Sequence, residues 1–403
     1  MSQEIAWNGV HALVGHAPVA ARGGDAAPAA RASGIAIERA SAARLAGLGD
    51  DWRDLASRAD AANVFLNPAL LAAAIAAYPE RNIVVLLAWQ DARLAGVWAF
   101  AQGRMRLSAP AMPNAYLATP AIDRDCLEPV IDALLSYIDA DPALPNIVAL
   151  DAMGAGTATY AALARVIAAR RGALSVFGRS QRPMLASDLD AKAYFEQAMS
   201  ASSRKKLRQH RRRLGEKGAL ESVLVTAPDA VVRAYEDFLA LEASGWKGRQ
   251  GTALASDAAD AQFTRAMIAA LAARGEAEIH SLTLDGRPVS MQVVLRAGRT
   301  AFTWKTCYDE ALHDYSPGTL LFEDYSARLL ADDNVDAVDS CSFDDSGYMA
   351  SWRERGDIAS LWLDARAGGS LLFPLLARLY GLYLGLRAHA KALYRRHVRK
   401  TGR

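Results

Sequence analysis

From residue 279 onward, short apolar runs alternate with turn residues. The stretch IHSLTLDGRPVSMQVVLRAGRTAFTWKTCYD (279–309) predicts three strands in a meander. Asp285-Gly286 suits the first hairpin turn, because glycine takes positive φ without a Cβ clash. Ala297-Gly298-Arg299 makes the second turn. In HDYSPGTLLFEDYSARLL (313–330), Leu320, Leu321, Tyr325 and Leu329 recur at helical spacing, which predicts a helix over 317–331. VDAVDSC (335–341) then reads as another strand.

The first half has the same order of elements. IVVLLAW (83–89) and LAGVWAF (94–100) form a hairpin around QDAR. Leu127 to Ile138 is an amphipathic helix, and NIVALD (146–151) a strand. A helix over 157–171 and a strand over 173–178 close the half. Two hairpin–helix–strand units therefore stand in tandem, with negligible identity between them. Their join is expected at RSQRPMLASD, near 180–187, which divides the chain into lobes 35–182 and 183–365. An Ala/Gly/Pro-rich stretch, 1–34, reads as a flexible leader and a poor signal peptide.

The 403 residues suffice for two domains, and 52% hydrophobic residues supply their cores. A net charge of +2 makes no global demand for a nucleic-acid or membrane partner. Cys126, Cys307 and Cys341 are widely spaced and unaccompanied by clustered histidines, which argues against a zinc site or disulfide framework and fits the cytoplasm. No apolar run is long enough to cross a bilayer.

Local charge is more informative. SASSRKKLRQHRRRLGEKGALE (200–221) predicts a helix capped by Ser202 or Ser203 and ended by Gly218. Lys205, Arg208, Arg211 and Arg212 share a face, which is either solvated surface or a site for anions. In the turn before helix 317–331, Ser316 is a candidate cap and Pro317 has no N–H to leave unpaired. Gly318 permits close approach. Ser316, Pro317, Gly318, Thr319 and Leu320 thus read either as a plain helix start or as a cradle for phosphates.

Four segments together resemble the CelD-like (cellulose-biosynthesis, BioF2-like) branch of the GNAT acyltransferase superfamily, related to Fem-type aminoacyl transferases. They are SSRKKLRQHRRRLGEKG, FLALEASGWKGRQGTAL (238–254), WKTCYDEALHDYSPGTLL (304–321) and VDSCSFDDSGYMASWRER (338–355). VFLNPALLAAAIAAY (64–78) is similar more weakly. Ser316-Pro317-Gly318 stands where that superfamily has a glycine-rich pyrophosphate motif. The resemblance implies an α+β fold of tandem GNAT-like lobes, each a mixed, mostly antiparallel sheet flanked by helices. It places the active cleft mainly in the second lobe and leaves the first degenerate. It implies acetyl-coenzyme A, or another acyl-coenzyme A, as co-substrate without a metal. The acceptor would be an amine of an amino sugar, polysaccharide precursor or envelope metabolite.

Under that reading Ser316–Leu320 hold the pyrophosphate, with Arg204 and Lys205 near the remaining phosphate or the acceptor. Acyl transfer to an amine needs a base, a polarised carbonyl and a proton for the leaving thiolate. Glu242, Tyr308 and Asp309 are the catalytic candidates. Trp246, Lys247 and Arg249, in a glycine-rich loop, form a substrate lid or an ordinary surface loop. Strand alternation puts Lys305, Cys307 and Asp309 on one face and Trp304, Thr306 and Tyr308 on the other. Lys305 then binds phosphate or carboxylate in the cleft, or guards a sheet edge. Asp339 orients the acceptor or caps a turn.

The tail, 366–403, is apolar first and basic last. It reads as a C-terminal helix packed on the domain or lying on a membrane surface, peripheral to the inner membrane. Two alternatives to the acyltransferase stay open. One is a Fem-type enzyme using aminoacyl-tRNA, the only reading with a nucleic-acid partner. The other is a non-catalytic membrane-associated accessory of exopolysaccharide synthesis.

Overall fold

The computed structural model describes residues 34–343 and 345–401, with side chains as far as Lys391. The leader expected over 1–34 lies almost wholly outside the described residues.

The first lobe opens with β1 (Ile35–Ala40), α1 (Ala42–Ala46), α2 (Gly49–Arg58) and α3 (Pro68–Ala77). It continues through β2 (Ile83–Gln90), β3 (Arg93–Gln102), β4 (Leu107–Ala109) and β5 (Ala121–Ile122). α4 (Leu127–Ala140), β6 (Ile147–Gly154), α5 (Ala158–Ala169) and β7 (Leu174–Leu185) complete it. The second lobe begins with α6 (Ala191–Ala198), α7 (Ala201–Gly215), β8 (Leu220–Val225), α8 (Pro228–Ser244) and α9 (Trp246–Arg249). α10 (Ala258–Ala272) leads into the meander β9 (Ala277–Leu284), β10 (Arg287–Ala297) and β11 (Thr300–Tyr308). α11 (Pro317–Leu330), β12 (Ala337–Asp339), β13 (Glu354–Asp364) and α12 (Leu372–Thr401) follow. The tandem repeat of hairpin, helix and strand is present as expected.

One mixed sheet runs through both lobes in the order β1-β2-β3-β4-β6-β13-β7-β12-β11-β10-β9-β8, with β5 on β3. In each lobe an antiparallel set leads to one parallel pair, β4 with β6 and β11 with β12. The last strand of each lobe is exchanged. β13 lies on β6, β7 lies on β12, and β7 and β13 pair antiparallel between them. The join expected at 180–187 is therefore largely strand. β7 continues to Leu185 because its far end is paired by the other lobe.

Burial follows the pleat. Val85 and Leu87 of β2 and Met291, Val293 and Leu295 of β10 share one core, which α1, α2, α3, α8 and α10 cover in both lobes. On the opposite face α4 and α5 cover the first lobe, and α6, α7 and α11 cover the second. α4 shows why such helices form: Val130, Ile131, Leu134, Leu135 and Ile138 recur every three or four residues and are all buried. Cross-lobe bonds lock the shared side. Tyr78 OH donates to Asp260 at 2.6 Å, and Asn67 Nδ2 donates to Glu276 at 2.7 Å. At the β10–β11 turn, a Cβ on Gly298 would run into the carbonyl of Ala56 on α2.

Candidate active site

Side by side, β11 and β12 pair only from Thr300 to Phe302, opposite Ala337 to Asp339. β12 ends at Asp339, so beyond Phe302 β11 runs on to Tyr308 without a parallel partner. In the first lobe the corresponding space beside β6 is filled. There Ala118 N–H bonds Ala152 O, Thr119 Oγ1 accepts from Gly154 N–H at 2.8 Å, and Asn63 Nδ2 donates to Leu117 O and Thr119 O.

The expected alternation along β11 is interrupted. Val293 faces Lys305 while Val294 faces Thr303, so Trp304 is the extra residue of a bulge. Trp304 consequently enters the same core as Cys307 rather than the opposite face. Its Nε1–H donates to Asn114 O at 2.7 Å. Lys305 Nζ donates to Asn114 Oδ1 at 2.9 Å and Tyr116 OH at 2.6 Å, so this lysine ties the strand to the first lobe.

At the far end of β11 the chain makes one 3-10 segment, Glu310–Tyr315, and enters α11. Ser316 sits there at φ 50°, ψ 54°, and its side chain makes no cap bond. This corrects the expected hydroxyl cap: capping side chains act from extended backbone, and Ser316 is left-handed. Its carbonyl caps instead, accepting from Thr319 N–H and Leu320 N–H at 3.0 and 3.1 Å. Leu320's side chain is buried in the core. The expected five-residue cradle thus reduces to Gly318, whose N–H has no acceptor among the described residues. The nearest atom to a Cβ built there is Tyr308 Cδ1, at 3.6 Å. Tyr308 is 39% exposed, and its hydroxyl makes no bond among the described residues. The helix start is open to solvent, with Ser316, Gly318 and Thr319 partly exposed.

The cations at this junction come from the C-terminal end of α7. α7 is capped by Ser200 and ends at Gly215, two or three residues earlier at its start and three at its end than expected. Leu207 and Leu214 seat it on the core, and Arg211 binds Asp324 at 2.6 Å and Leu320 O at 3.2 Å on α11. That contact brings the C-terminal end of α7 to the helix start. Arg213 and Lys217 lie over the Tyr315 ring at 5.4 and 5.3 Å. Arg204 is at the other end of α7, 3.9 Å from Glu196 on α6, with exposed Lys205 beside it. Sequence spacing could not separate these, since only docking decides which end of a basic helix meets the turn.

Glu242 lies in the last turn of α8, 3% exposed. Lys247 Nζ reaches its Oε1 at 3.0 Å, and Leu254 N–H donates to its Oε2 at 2.8 Å. Both carboxylate oxygens are committed to holding the loop. Lys247 also donates to Thr306 O at 3.3 Å, which pins the loop to β11. The loop itself contains α9, gripped by a residue the sequence reading overlooked. Glu310 accepts Trp246 N–H at 2.6 Å and binds Arg249 Nη2 at 2.5 Å. Arg249, then the Trp246 N–H, hold the Glu310 carboxyl below the usual range. Asp309 caps the 3-10 segment through one oxygen, which accepts Ala311 N–H at 2.9 Å.

Asp339 is buried against Arg182 Nη1, at 3.1 and 3.0 Å to its two oxygens, and Oδ1 also accepts Cys341 N–H at 2.7 Å. It caps the turn after β12, and its charge is matched within the protein. Arg182 is itself only 1% exposed and donates to Tyr116 O at 2.7 Å. Removing one partner of such a pair costs about 3–5 kcal/mol, because the other charge stays buried. Cys307 and Cys341 are buried free thiols, and burial pushes both well above the ordinary thiol range. Neither is placed to act as a thiolate. Among the described residues no cluster of His, Cys, Asp or Glu is arranged to hold a metal ion. A hollow of 610 Å³ lies elsewhere, between α2 and the β2–β3 turn, and contains none of these residues. It is an open surface depression; the unpaired end of β11 is the better candidate because functional groups converge there.

Residues 201–348 match the family model described as "Acetyltransferase (GNAT) domain". The match covers 148 of the 403 residues, all within the second lobe. Among solved structures it is similar to FemX, at 9% identity over 78% of this chain and 95% of that one, with a TM-score of 0.54. It is also similar to the C-terminal domain of a protein described as a candidate lysylphosphatidylglycerol synthetase from Agrobacterium fabrum. That match has 12% identity over 79% and 92% of the two chains and a TM-score of 0.50. A tandem GNAT protein from the clavulanic acid biosynthesis pathway aligns over 82% and 98%, at 14% identity and a TM-score of 0.41. At these identities the likeness concerns the fold. No curated protein matches the chain by sequence.

Proposed function

We propose that the second lobe transfers an acyl group from a coenzyme A thioester to an amine, with acetyl as the expected group. One observation carries this reading: β11 outruns β12 and leads to a helix start whose Gly318 N–H has no acceptor among the described residues, with the ring of Tyr308 beside it. The residues fit such a co-substrate. A helix N-terminus favours phosphate oxygens through its unpaired N–H groups and dipole, and Arg213 and Lys217 add positive charge beside it. When bound, the thioester supplies the activated acyl carbon.

The protein's own groups divide the remaining work. Tyr308 OH holds the proton that a departing thiolate requires, and Asp309 has its second oxygen free to receive one from the amine. Glu242 and Lys247 position the loop that borders β11. Arg182–Asp339 and Lys305–Asn114 keep the first lobe against β12 and β11. The acceptor class, an amino sugar or other envelope amine, rests on the family resemblance alone.

Coenzyme A should raise the melting temperature of the wild-type protein. A ligand at a hundredfold excess over Kd contributes about 2.7 kcal/mol. Gly318→Val places a branched side chain against Tyr308 at no helix-propensity cost relative to glycine. The variant should melt like the unliganded wild type and lose the coenzyme A response. No response in the wild type, or an undiminished one in the variant, refutes the reading.

The row of exposed cations Lys205, Lys206, Arg208 and Arg212 on α7 supports a second reading, the Fem-type enzyme using aminoacyl-tRNA. Binding of tRNA that falls steeply with salt, without binding of coenzyme A, would favour it.

A further inference from the structure

α12 is docked only at its start. Phe373 and Ala377 are buried on Ile147, and Tyr380 stacks on Trp362 at 4.2 Å and meets Phe177 edge-on at 4.9 Å. From Gly381 to Lys391 no residue is buried. The helix has 30 residues, about 45 Å at 1.5 Å per residue, so most of it projects from the body.

That projecting helix is not polar. Leu372, Leu375, Leu379, Leu382, Tyr383 and Leu386 are between 53% and 73% exposed. At 100° per residue they fall within about 100° of arc, a stripe beside the docked face and distinct from it. Leu371, just before the helix, is 98% exposed. A stripe of this size left in water calls for an occupant.

Charge identifies which. From Ala365 to Arg403 the sequence has no Asp or Glu, against Arg366, Arg378, Arg387, Lys391, Arg395, Arg396, Arg399, Lys400 and Arg403. Arg378 and Arg387 fall on opposite sides of the leucine stripe by the same angular count. Two such helices face to face would repel along their length. An anionic surface with an apolar interior satisfies the leucines and the arginines together. Among the described residues no helix is long and apolar enough to cross a membrane, so the helix would lie along the surface.

We propose that α12 is an interfacial anchor that docks the protein on an anionic lipid bilayer, with the Leu372–Leu386 stripe in the acyl boundary and the flanking cations on the headgroups. The inference is independent of the acyl-transfer reading.

The test is co-sedimentation of the full chain with vesicles of phosphatidylcholine, with and without phosphatidylglycerol. The protein should sediment with the anionic vesicles and be released as salt rises. Replacing Arg378, Arg387 and Lys391 together by Gln should weaken binding about a hundredfold, from roughly one unit of surface attraction per cation. Leu375→Gln, Leu379→Gln, Leu382→Gln and Leu386→Gln combined should weaken it by at least about tenfold. All seven positions are exposed, so unchanged melting curves will show that the variants fold. Failure to bind anionic vesicles overturns the proposal. So does a solution dimer that the leucine variants dissociate, since the stripe would then be covered by a second copy.

Discussion

Tyr308 and Asp309 are adjacent in the chain, yet their surroundings differ. Asp309 has one oxygen fixed by the Ala311 N–H, while Tyr308 OH has no partner among the described residues and its ring stands against Gly318. A general acid must reach the leaving group rather than be consumed by the fold. Tyr308→Phe keeps the ring and removes the proton. Steady-state assays should find kcat reduced by about 10²–10⁴. Calorimetry should find coenzyme A affinity nearly unchanged. Unaltered kcat would remove Tyr308 from the reaction. Glu242 illustrates the opposite case, a carboxylate whose type and position suggested a base but whose oxygens are both engaged in holding the loop.

The segment after β11 gains its importance from what it grips. Glu310 draws α9 toward the helix start, so the glycine-rich loop and the cradle form one unit. Its carboxyl is held low by Arg249 and the Trp246 N–H. A depressed acid contributes stability that is present above its ordinary range and is lost as pH falls through the lowered value. Protection of the 245–251 amides, relative to their intrinsic exchange at each pH, should therefore be high at neutral pH and fall in acid below the ordinary carboxylate range. Glu310→Gln should give fast exchange at neutral pH with the rest of the lobe unchanged. If the variant protects the loop as well as the wild type does, Glu310 is not its clamp.

Over the whole chain, the exchanged strands govern stability. β13 belongs to the second lobe by sequence but pairs with β6 and β7 of the first, and β7 pairs with β12. Each lobe alone would expose a strand edge in mid-sheet and half of a shared core. The full chain should unfold in one transition. Residues 183–403 expressed alone should aggregate or show no cooperative melting. A monodisperse, cooperatively melting fragment would show that the lobes are autonomous.

Periodicity and turn chemistry made the meander, α11, α4 and the tandem order legible, because these are local: glycine where φ is positive, leucines at helical spacing, alternation over a hairpin. Of the four segments on which the resemblance over 200–360 rested, the GNAT match at 201–348 covers three in full and the fourth as far as Tyr348; it does not reach the CelD-like branch. The bulge at Trp304, the left-handed Ser316 and the docking of α7 by its C-terminal end were not legible. Each is set by partners distant in sequence: Val293 and Val294 across the sheet, the 3-10 segment before the helix, and Asp324 on α11. The exchange of β7 and β13 belongs with them. Hydrogen-bonding capacity is written in every residue, but which strand fills it depends on the whole chain being folded. Chain-local preference thus specified the parts and the chemistry they carry, and long-range packing settled which charges are spent on the fold and which remain free to act.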